Sequence, residues 1–183
     1  MARLMARVEK VVCVSALALL VAAASAQTRP DFSGRWTVVP ETLAAGGGRG
    51  GPGAAVTIGS GWGAEITINQ DAATLAVERA QFSQYDMQPP MRFVYALDGS
   101  QSRNVINMGR GPQEMISTAA WQDAALVITT MHRFENPQNG QAMTSEVRQV
   151  LSLEAPGSLV VVTTRSAVLG GPSSTTKQTY KKG

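Results

Sequence analysis

Residues 121–134 read WQDAALVITTMHRF, and the order of apolar and polar side chains in this stretch decides the fold class. Leu126, Ile128 and Phe134 recur on one face of an extended chain, and the charged Arg133 falls on the other. This period of two is typical of an antiparallel β-strand that buries one face. Asp123 is a common turn residue, so the stretch predicts a strand end, a tight turn and a new strand.

The same pattern recurs from Ala64 to the C-terminus. Asp71, Asp98-Gly99 and Pro156-Gly157 are turn formers, and strands joined by short turns pair as neighbours in a meander. Closure into a barrel removes the exposed edges of such a sheet. We therefore predict an all-β fold, a single antiparallel meander closed into an up-and-down barrel of eight to ten strands from about Gly34 to Lys182. The other alternating runs are EITINQ (65–70), TLAVER (74–79), MRFVYAL (91–97), AMTSEVRQVLSL (142–153), LVVVTT (159–164) and TTKQTYKK (175–182).

The first 26 residues have the order of a secretory signal peptide. A basic start is followed by an apolar run from Val11 to Ala24 and by the small-x-small site ASA (24–26). The apolar run is shorter than the about 20 residues that a membrane-spanning helix needs. We therefore expect cleavage after residue 26 and a secreted or periplasmic domain, residues 27–183, with no transmembrane segment after cleavage. Cleavage also removes Cys13, the single cysteine of the chain, so the domain forms no disulfide.

Residues 43–63, LAAGGGRGGPGAAVTIGSGWG, are dominated by glycine and alanine. Ordering glycine costs much conformational freedom, and this stretch has little apolar surface to offset that cost. We therefore predict a flexible loop between the first two strands. The alternative is a phosphate-cradling loop, but the sequence lacks the Lys-Ser/Thr pair that follows the glycines of a P-loop.

The stretch DFSGRW (31–36) stands where the chain enters its first strand. Gly34 lets the chain turn tightly there, and Trp36 is placed to plug an open end of the barrel. Stacking on a ligand is the alternative role for Trp36. Asp31 and Ser33 suit a short helical turn or a cap before the strand.

Gly34-Arg35-Trp36 near the mature N-terminus, followed by a meander, resembles the lipocalin and lipocalin-like (calycin) barrels. With PDFSGRW, ITINQDAATLAVER, the central ALDG turn, the WQDAALVIT hairpin and the final TYKK, the chain is similar to a largely uncharacterised group of exported bacterial lipocalin-like proteins. The likeness covers nearly all of residues 27–183 and implies a barrel with an interior ligand. Lipocalins pair this tryptophan with an arginine near the last strand, whereas that strand here offers Lys177, Lys181 and Lys182.

The sequence offers little for catalysis. Outside the signal peptide it has no cysteine and one histidine, His132, which excludes a multi-histidine metal site. No serine lies in a Gly-x-Ser-x-Gly elbow, and no spacing singles out a pair of carboxylates. We therefore predict no catalytic residue, metal or cofactor. Residues 27–183 carry 13 basic and 12 acidic side chains and no basic patch with interleaved aromatics, so nucleic acid is not an expected partner.

Five side chains are candidates for contact with a ligand inside the barrel. His132 shares a face with Leu126, and Arg79 shares one with Val77, so both point inward unless a bulge turns Arg79 out. An inward arginine can hold a carboxylate. Four of the candidates also have a structural alternative: a hydrogen-bonded interior histidine for His132, an arginine that reaches solvent for Arg79, and aromatic residues of the core for Tyr95 and Trp121. The candidates are Arg79, Tyr95, Trp121, His132 and Gln149.

The inward faces mix large apolar residues with small or polar ones, as cavities that hold ligands do. We therefore predict an exported, non-enzymatic barrel that binds a small apolar or amphipathic molecule, such as a fatty-acid-like ligand. One alternative is a filled barrel of the cell envelope that acts through its surface. An enzyme built on the barrel is a further alternative, so enzyme activity is left open.

Overall fold

The computed structural model describes residues 29–40, 62–82, 87–107, 112–135, 139–166 and 172–183. The predicted signal peptide lies outside these ranges. Of the predicted flexible loop 43–63, they include Trp62 and Gly63, and the rest of that prediction lies outside the described residues.

Ten β-strands make up most of the described chain. They are β1 (Gly34–Val38), β2 (Glu65–Gln70), β3 (Thr74–Phe82), β4 (Met87–Ala96), β5 (Gln101–Asn107), β6 (Pro112–Gln122), β7 (Ala125–Glu135), β8 (Ala142–Ala155), β9 (Ser158–Arg165) and β10 (Ser174–Lys182).

These strands form one antiparallel sheet in the order β4-β3-β2-β1-β10-β9-β8-β7-β6-β5. Strands that follow one another in sequence pair with each other, except β4 and β5, which are the two edges of the sheet within the described ranges. β1 also pairs with β10, so the sheet curls round until β4 and β5 meet. The Asp98-Gly99 turn therefore joins two edge strands rather than a paired hairpin. The prediction of a single antiparallel meander that forms a barrel of eight to ten strands is confirmed. The alternation of apolar and polar residues, together with the short turns between the strands, was sufficient to predict this architecture.

Aspartates hold three of the tight turns. Asp71 Oδ1 accepts hydrogen bonds from the backbone N–H groups of Ala73 and Thr74, both at 2.7 Å, and these bonds lower the pKa of Asp71. Asp98 Oδ1 accepts one from Ser100 N at 2.9 Å. Asp123, between β6 and β7, has a φ of +53°, a conformation that aspartate tolerates better than most residues.

The barrel is nearly closed, and side chains complete the junction between its edge strands β4 and β5. Asn104 Oδ1 accepts a hydrogen bond from Val94 N at 2.7 Å, and Asn104 Nδ2 donates one to Val94 O at 3.0 Å. Ser102 Oγ accepts a third from Ala96 N at 2.7 Å. These contacts satisfy backbone groups that an open sheet edge would expose.

Alternate residues of the strands point inward and form one continuous apolar core. Its largest fully buried members are Trp36, Tyr95, Tyr180, Phe32, Ile66, Ile68, Leu75, Leu126, Ile128, Leu151, Leu159 and Val77.

Residues 30–33 fold over the end of the barrel where β1 begins. Phe32 is fully buried, and its ring stacks on Trp121 with the centroids 5.8 Å apart and the planes 8° from parallel. The Gln70 side chain holds the segment, because its Oε1 accepts from Phe32 N and its Nε2 donates to Pro30 O, both at 3.0 Å. Asp31 Oδ1 accepts from Ser33 N at 2.8 Å, so the predicted cap is a local turn rather than a turn of helix.

The glycine two residues before Trp36 is required by its backbone conformation. Gly34 has a φ of +138°, which L-residues rarely adopt, and a Cβ atom there would lie 2.5 Å from Lys182 Cε. Lys182 is the β10 partner of Trp36, and its Nζ lies 5.5 Å from the centroid of the buried indole. The last strand therefore places a lysine over Trp36, where the resemblance to lipocalins implies an arginine.

Candidate functional site

The inner surface of the barrel becomes polar on strands β6 to β10. The strand registers define two inward rows across these strands. The first row runs Ala119, Ile128, Gln149, Thr163 and Thr176, and the second runs Ser117, Thr130, Val147, Arg165 and Ser174. Ser117 Oγ and Thr130 Oγ1 share a hydrogen bond of 2.9 Å, and both residues are buried. We call these two rows the polar wall.

The hydroxyl of Thr163 is the most informative group of the polar wall. Thr163 is 1% exposed, and its Oγ1 has no hydrogen-bond partner within the described ranges. Thr176, its partner across the β9–β10 ladder, also has a buried Oγ1 with no partner there. Buried polar groups of folded proteins are nearly always hydrogen-bonded, so these two hydroxyls point to water or a ligand inside the barrel.

Arg165 and His132 add basic groups to the same inner surface. Arg165 follows Thr163 by two residues on β9, and His132 follows Thr130 by two residues on β7. Both side chains are half-buried. Burial lowers the pKa of His132, and the positive charge of Arg165 lowers it further. His132 is therefore neutral at neutral pH, while Arg165 keeps its charge even though burial lowers its pKa as well.

Gln149, the third polar candidate, lies at the centre of the first row of the polar wall. It is buried, and it pairs with Ile128 on β7 and with Thr163 on β9. Gln149 and His132 therefore lie on adjacent strands of one inner surface, but two inward rows apart, because Gln149 pairs with Ile128 and His132 with Ser145.

Arg79 lies on the other side of the barrel. It pairs with Met91 across the β3–β4 ladder, its Nη2 lies 3.3 Å from Met91 Sδ, and a register shift follows it before Gln81. The half-buried side chain thus stays on the inner face ahead of the irregularity, and burial lowers its pKa. A Cβ on Gly63 would lie 3.9 Å from Arg79 Cδ, so the segment of Trp62 and Gly63 approaches this arginine.

The described inward residues of the wall that carries Arg79 are mostly apolar, with Gln70 at the end of β2 as a polar exception. The strand order places β2, β3 and β4 across the barrel from β7, β8 and β9. Inward residues of β2 to β4 are Ile66, Ile68, Val77, Met91 and Phe93, all buried. The interior therefore has one polar side and one apolar side.

Tyr95 belongs to the packed core rather than to the polar wall. It is 1% exposed, and its ring lies 6.4 Å from that of Trp62, centroid to centroid. Burial raises the pKa of its hydroxyl, which is hydrogen-bonded to the Trp62 side chain. Tyr180 Oη donates a hydrogen bond to Gly63 O at 2.9 Å. Trp62 and Gly63 thus fill part of the apolar interior.

Trp121 lies at the end of the barrel that residues 30–33 cover. Its described ring contacts are with the N-terminal segment and not with the other four candidates. Phe32 stacks on its ring, and the guanidinium carbon of Arg29 lies 5.5 Å from the ring centroid. The indole is half-buried. The N-terminal segment covers the face of the ring on which a ligand would stack.

A second concavity lies on the outside of β1 to β3. Its volume is about 180 Å³, and its lining includes Arg35, Thr67 and Glu78. Glu78 Oε1 is held at 3.2 Å by Arg92 Nε, so the charges here are arranged as ordinary surface pairs.

Sequence reasoning missed Thr163, Thr176 and Trp62. The first two have a signal: on β9 the alternation Leu159, Val161, Thr163 continues the buried face, so a threonine on that face is inward. Trp62 has no such signal, because its burial depends on how residues 62–64 return into the barrel.

These features define an antiparallel meander barrel whose interior is apolar on one side and polar on the other. No protein-family model and no curated protein sequence matches the chain. Within the part of the chain that the structure describes, no three histidine, cysteine or carboxylate side chains are grouped so as to hold a metal ion. No helix there is long and apolar enough to cross a membrane.

Proposed function

We propose that this protein is an exported lipocalin-like barrel that binds a small amphipathic anion in its interior. The observation that carries the proposal is the buried hydroxyl of Thr163, which has no hydrogen-bond partner among the described residues and lies two residues from the charged Arg165. A hydroxyl in that position can donate a hydrogen bond to a polar group of a ligand and accept one from it. The apolar wall across the barrel offers contact to the rest of the ligand.

The charges of the inner surface support an anion. Arg165 and Arg79 face the interior from opposite sides, with the neutral His132 beside Arg165. Carboxylates whose side chains the structure describes lie on the outer face or in turns, at Asp31, Glu65, Asp71, Glu78, Asp98, Glu114, Asp123, Glu146 and Glu154. A carboxylate or phosphate that enters the barrel would therefore meet positive charge in a partly desolvated site, where such pairs are strong.

Export is part of the proposal because residues 1–26 have the order of a cleaved leader. We expect the protein recovered from outside the cytoplasm to have the mass of a chain that begins at Gln27. An intact-mass measurement checks this, and a recovered chain that still contains Cys13 would contradict it.

A titration with anilinonaphthalene sulfonate, a small fluorescent amphipathic anion, tests the binding function. We expect saturable one-to-one binding to the folded protein. Arg165→Gln should weaken it by about tenfold, because a charged hydrogen bond contributes on the order of 1.5 kcal/mol or more. Arg133→Gln is the matched control, since Arg133 is exposed on the outer face of β7. Unfolding curves of both variants show whether a loosened fold contributes to the probe signal. Non-saturable binding, or equal loss in the two variants, would refute the proposal.

A filled barrel that acts through its outer surface is the second candidate function. The packing of Phe32, Trp36, Trp62, Tyr95 and Tyr180 favours it, because these large side chains occupy the apolar interior. The same titration separates the two functions, since a filled barrel gives no saturable site that depends on Arg165.

A further inference from the structure

The polar groups of the interior lie on one side of the barrel and toward one end of it, because the next inward row on the same strands runs through Trp121, Leu126, Leu151 and Val161. Gln149, Thr163 and Thr176 follow one another across three strands, and the Ser117–Thr130 pair and Arg165 stand in the next inward row. Inward rows of a sheet are two residues apart, or roughly 7 Å along a strand. Gln149, Thr163 and Thr176 lie on three adjacent strands and so extend over roughly 10 Å across the sheet, a width similar to that of a six-membered ring with its substituents.

We propose that the ligand is a compact hydroxylated anion, such as a sugar acid, and that a long acyl chain is rejected. This inference rests on the proposed binding function and specifies the chemistry of the ligand. Hydroxyl and amide side chains can each donate and accept hydrogen bonds, so the polar wall matches a molecule that carries several hydroxyl groups. Arg165 lies at the edge of the wall and takes the anionic group.

A long acyl chain fits this interior poorly for two reasons. An alkyl chain against the polar wall would leave the hydroxyl groups of Thr163 and Thr176, which have no hydrogen-bond partner within the described residues, in contact with groups that form no hydrogen bonds. Part of the apolar interior is already filled, because Trp62 packs with Tyr95 and Phe32 stacks on Trp121, so the length left for an alkyl chain is short.

The wall across the barrel suits the other side of a sugar ring. Val77, Met91 and Phe93 are buried there, and Phe93 is aromatic. The C–H groups of a hydroxylated ring form a small apolar surface, while its hydroxyl groups point outward from the rim. A ligand of this shape can form hydrogen bonds with the polar wall and apolar contacts with the opposite wall, whereas a uniformly apolar chain can form only the apolar contacts.

Competition against bound anilinonaphthalene sulfonate tests the inference with three carboxylates. Glucuronate and cyclohexanecarboxylate share a six-membered ring and one carboxylate and differ in the hydroxyl groups. Palmitate, kept below its micelle-forming concentration, tests chain length. We expect glucuronate to displace the probe at a concentration at least about tenfold lower than either of the others, because a site built to hydrogen-bond hydroxyl groups discriminates against analogues that lack them.

Thr163→Val separates recognition from stability. It removes a hydroxyl without a described partner, so the unliganded protein should unfold at the same or a higher denaturant concentration, while the advantage of glucuronate over cyclohexanecarboxylate should fall by about tenfold. Thr164→Val is the matched control, because Thr164 bonds Thr175 on the outer face at 3.1 Å and should leave the advantage unchanged. If the probe binds but palmitate or cyclohexanecarboxylate displaces it best, or if no carboxylate displaces it, this inference fails and the binding function stands. If the probe itself does not bind saturably, the binding function fails first.

Discussion

Trp36→Ala is expected to lower the free energy of unfolding by about 3–5 kcal/mol, the usual cost of deleting a buried aromatic side chain. Trp36 is 1% exposed, and its Nε1 donates a hydrogen bond to Phe32 O at 2.8 Å. The substitution removes the indole from the junction of β1, β2 and β10 and leaves that carbonyl without its donor. Equilibrium unfolding in urea, followed by far-UV circular dichroism, measures the change.

Two further variants separate the contributions around Trp36. Trp36→Phe keeps most of the ring and loses the hydrogen bond, so it should cost clearly less than the alanine variant. Gly34→Ala leaves Trp36 intact but forces an L-residue to a φ of +138° and displaces Lys182, which should cost about 1–3 kcal/mol. A loss below about 1 kcal/mol for Trp36→Ala would show that the indole does not anchor this end of the barrel.

Phe32→Ala should destabilise the protein by a similar amount, about 3–5 kcal/mol, although Phe32 lies outside every strand. The ring is fully buried and stacks on Trp121, so its removal opens a cavity and uncovers the indole. We therefore expect a red shift of the tryptophan emission in the folded variant, together with the lower midpoint in urea. The shift in tryptophan emission links the loss of stability to the stacking of Phe32 on Trp121.

Arg29→Ala is the control for the same end of the barrel. Arg29 also lies over Trp121 but is exposed, so its cation–π contact should contribute less than about 1 kcal/mol. Equal losses for Arg29→Ala and Phe32→Ala would mean that the segment is held by its charge rather than by burial of the ring.

Part of the candidate site could be predicted from the sequence. The alternation in ALVITTMHRF and AMTSEVRQVLSL predicts that His132 and Gln149 share the inner face of their strands, and the registers place them on adjacent strands. Arg79 follows from the same reasoning in TLAVER. That Thr163 Oγ1 has no described hydrogen-bond partner could not be predicted in this way. This property depends on which side chains of other strands come close to the atom, and those strands are distant in sequence.

The sequence by itself determined the local structure and the order of strand pairing. Alternation has a fixed period of two, and the short turns at Asp71 and Asp123 each join two strands that pair as antiparallel neighbours. The turn at Asp98 joins the two edge strands, which meet through side-chain hydrogen bonds. Both properties act within about ten to twenty residues, so they can be read along the chain. The meander and the approximate strand number follow from them.

Only the tertiary structure decided what meets across the barrel. The pairing of β1 with β10 brings Lys182 over Trp36, and the closure of the sheet sets the polar wall opposite Phe93. The burial of Phe32 and Trp62 likewise depends on where their segments return to the core. These contacts join residues far apart in sequence, and their geometry depends on the register and tilt of all ten strands together, which no local pattern specifies.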